Sequence, residues 1–182
     1  MKYQFDVKLS EQDYLDFNIF HALRSHYGKK QLKSFRIMLT VVLVALCVIF
    51  WVGEGFSADT VISIVVITVV FLIFQIFLPK FLKWSVKTTI KGLKNNGKMG
   101  YSPESVLEFY DDYFIEIMPN KKIEQSYCEI EGASLVDMKM IYIYENNVAA
   151  FMLPVSCFKS KVELDEFIEF LKTKGIKVDK YC

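Results

Sequence analysis

Two unbroken apolar runs stand out in a chain that otherwise alternates apolar and polar positions in short strides. Residues 37–52 carry no charge over 16 positions, and residues 60–78 carry none over 19. A bilayer core of about 30 Å takes roughly 20 helical residues to cross. The second run meets that length directly, and the first meets it if residues 34–35 or 53–56 lie at headgroup level. A soluble helix of this length keeps a polar face, because only one stripe of it meets a core. Neither run has such a face. The pattern predicts a transmembrane helical hairpin.

The flanks show shorter periods. Tyr3, Phe5, Val7 and Leu9 alternate with Lys2, Gln4, Asp6 and Lys8, the period of a half-buried strand. A lone strand is not stable, so its partner is expected beyond residue 100. Ser10 reads as a helix N-cap with Glu11 and Asp13 in the first turn, and Gly28 as the stop of that helix. Past Leu78 the helical pattern runs through Pro79, where a kink is expected, to the stop at residues 95–97. From Ser102 on, short alternating segments follow: 106–110, 113–118, 123–130, 134–138, 141–144 and 148–153. Turns are expected at Asp111 with Asp112, at residues 119–121 and at Asn146 with Asn147, and Pro154 closes the sheet. Residues 161–174 then read as one helix with Leu164, Phe167, Ile168 and Leu171 on its apolar face and Gly175 as its cap.

These elements predict an α+β membrane protein in four parts. Residues 1–36 form a cytoplasmic strand and amphipathic helix, 37–78 the hairpin, and 79–98 a basic juxtamembrane helix. Residues 99–182 form a small antiparallel β-roll of pleckstrin-homology-like element count, closed by a C-terminal helix.

Charge sets the orientation. Lys29, Lys30, Lys33 and Arg36 precede the first run, and Lys80, Lys83, Lys87, Lys91, Lys94 and Lys98 follow the second with no acid among them. The connecting loop holds Glu54 and Asp59 and no base. The positive-inside rule therefore predicts a multi-pass protein of the cell membrane with both termini cytoplasmic. Trp51 and Phe56 at the outer end and Trp84 at the inner end are the expected interfacial anchors. No cleavable signal peptide is expected, because the N-terminus is polar and the first apolar run starts late. Residues 101–182 hold 9 bases and 15 acids. That acidic balance repels phosphate backbones, so nucleic acid is not an expected partner.

The stretch from Tyr127 to Ile130, with Tyr142, Tyr144, the run 150–154, Phe158 and residues 163–170, resembles the YcxB-like family of bacterial membrane proteins. The chain departs from that pattern at Val155, where a basic residue is expected. The resemblance implies a short strand and helix, two spans and a small soluble domain. It implies no catalytic role for any residue.

Candidate chemistry is sparse. The six lysines are spaced 3, 4, 4, 3 and 4 apart and form one helical stripe, with Leu82, Val86, Ile90 and Leu93 about 100° to its side. The stripe is a topology signal, a surface for anionic lipid headgroups, or a dock for the acidic domain. Phe71, Phe74, Gln75 and Phe77 are the candidate helix–helix interface, with Gln75 as an interhelical hydrogen-bonder. Tyr142 and Tyr144 are the candidate partner surface of the roll. No ionisable group lies in the spans for a proton or ion relay, which argues against a transporter. His21 and His26 are five apart and cannot share a metal. Asp111 and Asp112 suit a turn, and Glu108 and Glu116 on the flanking strands make a weak acidic cluster. Cys47, Cys128, Cys157 and Cys182 form no C-x-x-C pair, so reduced thiols are expected. No nucleophile-and-base arrangement, phosphate loop, cofactor site or metal site is expected.

The expected function is that of a non-catalytic membrane protein whose cytoplasmic roll is a protein-interaction or regulatory module with an unidentified protein partner. The alternative is an immunity-type protein that neutralises a membrane-active toxin through its hairpin. A second copy of the chain, paired through the spans, is a further candidate partner.

Overall fold

The computed structural model describes residues 1–55, 57–147 and 149–181. Phe56, Val148 and Cys182, singled out above as an anchor, a strand start and a thiol, lie outside the described residues. The chain divides into two compact units, Met1–Phe17 with Met99–Cys182, and Asn18–Lys98.

The first unit holds two four-stranded sheets. Strand β1 (Tyr3–Lys8) pairs antiparallel with β2 (Glu104–Phe109), from Tyr3 opposite Phe109 to Lys8 opposite Glu104. The expected distant partner is thus β2. Strands β3 (Tyr113–Met118) and β4 (Lys121–Ser126) extend the sheet in the order β1-β2-β3-β4. The second sheet holds β5 (Gly132–Val136), β6 (Met140–Tyr144), β7 (Ala150–Pro154) and β8 (Val178–Tyr181) in the order β7-β6-β5-β8. Strand β8 lies parallel to β5, with Ala133 opposite Val178. Periodicity predicts no strand after the C-terminal helix, so β8 is an addition to the expected fold.

Two strand ends also differ. The expected strand 123–130 stops at Ser126, and a 3-10 turn, Tyr127–Glu129, follows. There the Tyr127 ring swings into the core and its hydroxyl donates to the Tyr110 carbonyl at 2.8 Å. The expected strand 134–138 stops at Val136, where Asp137 and Met138 take left-handed backbone (φ 50° and 51°) to form the hairpin turn.

Alternation explains the core. Phe5, Val7, Leu107, Phe109 and Phe114 from the first sheet and Ile141, Ile143, Phe151 and Leu153 from the second are all buried. Helix α4 (Lys161–Thr173) buries Leu164, Phe167, Ile168 and Leu171, the expected face. The Phe167 ring lies 4.9–5.4 Å from those of Tyr3, Phe5, Phe109 and Phe158. Ser160 caps this helix by accepting from the Glu163 N–H, and Glu163 returns the bond to the Lys159 N–H. Gly175 takes φ +82° just past the helix end.

Helix α1 (Glu11–Leu23) begins with the expected box: Asp13 N–H donates to Ser10 Oγ, and Ser10 N–H donates to the Asp13 carboxylate. The second unit then departs from the sequence reading at Gly28, which is not a stop. The chain breaks at Arg24 and Ser25, and α2 (His26–Glu54) starts with Ser25 as its cap. Ser25 Oγ donates to the His21 carbonyl at 2.6 Å and accepts from the Gly28 N–H at 2.9 Å. Gly28 is needed because a Cβ there would stand 2.2 Å from the His21 carbonyl oxygen.

Helix α2 has 29 residues and α3 (Ala58–Asn95) has 38. At about 1.5 Å per residue they reach roughly 43 and 57 Å. Both are long and apolar enough to cross a membrane. Helix α3 continues through Pro79 and ends as expected at Asn95, with Gly97 at φ +64° turning the chain away.

Candidate functional site

The basic groups gather at one end of the α2–α3 hairpin. Arg36 Nη2 donates to the Gln75 carbonyl at 3.4 Å, which sets the Lys29-to-Arg36 stretch of α2 beside the point where α3 turns basic. Lys80, Lys83, Lys87, Lys91 and Lys94 are exposed along α3, while Leu82, Val86 and Leu93 are half-buried and Ile90 is buried. The two stripes thus exist on the helix as the spacing predicts. Lys98 is exposed as well but lies three residues past the helix end. Lys80 Nζ rests 5.3 Å above the Phe77 ring.

The proposed interface residues divide between two faces. Phe71 and Gln75 lie on the shielded side of α3, whereas Phe74 and Phe77 are exposed. Gln75 is not the interhelical hydrogen-bonder expected. Its amide nitrogen and oxygen are buried without a hydrogen-bond partner among the described residues, and its hydrogen bond to α2 is accepted by its backbone oxygen.

Tyr142 and Tyr144 do not form a surface. Tyr142 is 2% exposed, and its ring lies 4.9 Å from that of Phe17 on α1, with Tyr144 6.4 Å from the same ring. Strand β6 is covered on both faces, and burial pushes both phenols well above the usual tyrosine range. The signal was in the sequence: residues 140–144 are apolar without alternation, as befits a strand buried on both sides.

The pair Glu108 and Glu116 is also not a cluster. Glu108 lies opposite Ile115 and Glu116 opposite Leu107, so the two carboxylates point to opposite faces of the sheet. Glu108 faces outward and accepts from the Tyr110 hydroxyl at 2.8 Å. Asp111 is a turn residue that pairs with Lys2 at 2.7 Å and Lys174 at 3.8 Å. The Lys2 hydrogen bond and charge hold its carboxyl below the usual range.

Glu116, on β3, stands apart from Glu108 on the other face of the sheet. Its parity puts it on the core face with Phe114 and Leu107, yet it is half-buried rather than sealed. It lines a cavity of about 560 Å³ whose apolar walls include Leu9, Met99, Met118, Ile123, Phe151 and Met152. The chain segment 99–103 forms one wall, held by Tyr101 stacked on Tyr14 at 4.9 Å. Burial raises the Glu116 carboxyl above the usual carboxylate range, while the Lys121 charge pulls it partly back. Lys121 also lines the cavity, with its own side chain exposed.

Among the described residues, no three His, Cys, Asp or Glu side chains stand together as metal ligands, and Cys47, Cys128 and Cys157 are free thiols. Neither a family model, nor a curated protein, nor a solved structure matches this chain.

Proposed function

We propose that the chain is a two-span protein of the cell membrane whose cytoplasmic roll is a non-catalytic binding or regulatory module. The observation that carries this reading is the exposure of the helices. Among the described residues, all but three of the large exposed apolar side chains lie on α2 and α3. Their apolar windows are 0% and 6% buried. A core helix of a soluble protein would be covered by its own chain, so lipid is the cover that suits these two.

The β1–β2 pairing supports the orientation from a second direction. Strands 3–8 and 104–109 are hydrogen-bonded neighbours, so both ends of the intervening hairpin lie on one side of any bilayer it crosses. An even number of crossings follows, and the lysines name the cytoplasm as that side. The stripe on α3 then meets anionic headgroups, each lysine contributing roughly 1 kcal/mol close to the surface. In this reading the roll is of the pleckstrin-homology type with β8 added, and the chain is a member of the YcxB-like family.

The test uses a membrane-impermeant maleimide on intact cells. A Ser57→Cys variant, with its native thiols replaced by serine, is expected to label from outside. The exposed native Cys128 is expected to label only after the membrane is opened. Labelling of Cys128 in sealed cells, or release of the protein by alkaline carbonate, would overturn the reading.

A further inference from the structure

The cavity beside β3 sets one half-buried carboxylate among mainly apolar side chains. Glu116 reaches it from the core face, and Met99, Met118, Ile123, Phe151 and Met152 supply thioether, aliphatic and aromatic surface. A volume of about 560 Å³ falls within the range of small-molecule sites, which are mostly apolar with a few placed polar groups. A half-buried carboxylate is costly unless a cation or donors meet it. Here the exposed Lys121 meets that need only in part, and the buried Ser105 hydroxyl makes no hydrogen bond among the described residues.

We propose that this cavity binds a small organic cation, an ammonium group on an apolar body, with the Glu116 carboxylate as its counter-charge. Charge complementarity selects the class. The inner charge is negative, which disfavours carboxylates and phosphates, and a lone carboxylate is too few ligands for a hard metal ion. The lining aromatic groups Phe151 and Tyr101 suit a flat body. Lys121 is the internal competitor: its charge partly neutralises Glu116 when the cavity is empty, so its removal strengthens binding. Tyr101 and Lys121 are the other titratable groups lining the cavity, and Ser105 faces Glu116 from β2. Affinity for the cation is therefore greatest where Glu116 is ionised. It falls as pH drops through the titration of that carboxyl, which lies above the ordinary carboxylate range.

The inference concerns the roll alone and goes beyond the membrane assignment, so its test reads binding rather than location. The full chain, purified in a neutral detergent and labelled at methionine methyl groups, is titrated with tryptamine by NMR. Tryptophol, its uncharged counterpart, and indole-3-propionate serve as controls. Of the seven methionines, Met99, Met118 and Met152 line the cavity, and their signals are expected to move. Tryptamine is expected to bind at least tenfold more tightly than tryptophol. Glu116→Gln is expected to erase that preference while leaving tryptophol binding in place, and Lys121→Ala to tighten tryptamine several-fold. An equal affinity for amine and alcohol, a preference that survives Glu116→Gln, or shifts confined to the other methionines would overturn the proposal.

Discussion

A single missing methyl group sets the corner between α1 and α2. Gly28 sits where a Cβ would overlap the His21 carbonyl oxygen at 2.2 Å and the Ala22 backbone at 2.7 Å. Backbone atoms cannot swing aside as a side chain does. Gly28→Ala is therefore expected to cost about 1–3 kcal/mol, the usual penalty of overpacking. Thermal unfolding in detergent should show the loss as a fall of several degrees. Glu116 gives the opposite sign. Its folded carboxyl titrates above its unfolded one, so the folded state binds more protons between the two values. Stability accordingly rises as pH falls through that window and is lowest, for this group, above it. Glu116→Gln is expected to raise the denaturation midpoint at pH 7, with the gain vanishing below the ordinary carboxylate range. A variant equally stabilised at pH 7 and pH 4 would show that ionisation is not the cause. Parity along β3 already placed Glu116 beside Phe114, so its inward position was legible. Its cavity was not, because the opposite wall comes from β7 and residues 99–103, far away in sequence.

Among the elements, those with a strict period were read to within a residue or two. Strand β1, strand β3, α4 and α3 follow from alternation or helical spacing in local sequence alone, whereas α2 starts at His26, well ahead of the apolar run 37–52. Strand β8 was not legible. Its four residues, Val178–Tyr181, carry two charges and gain order by pairing with β5 some 45 positions earlier. The cover on β6 was missed for a similar reason, since an amphipathic helix does not state which sheet it will lie on. Helix α4 is the element on which the roll most depends. Phe167 is fully buried and its ring meets those of β1, β2 and residue Phe158. Phe167→Ala removes the centre of that aromatic cluster and is expected to cost about 3–5 kcal/mol. Limited proteolysis should then cut the 99–181 region rapidly and spare the apolar helices. A variant whose roll stayed resistant would mean that the cluster is dispensable.

At the scale of the whole molecule, the roll is built from both ends of the chain. Residues 3–8 form one border strand of the first sheet, and the next strand of that sheet begins at residue 104. An additional transmembrane segment inserted after Lys98 would part β1 from β2 across the bilayer. The expected result is an inserted hairpin carrying an unfolded, protease-sensitive roll. Two added segments would restore the parity and, with it, the resistance. A roll that folded with one added segment would contradict the reading of the helices as spans.

The same pairing also imposes a wait. Strand β1 leaves the ribosome about a hundred residues before β2, and at roughly 5–20 residues per second that interval is on the order of 5–20 seconds. During it an alternating apolar strand stands with both edges unpaired, the state most prone to join a neighbouring chain. Lys2, Asp6 and Lys8, on the outward face, are the charges that keep it apart until its partner is made.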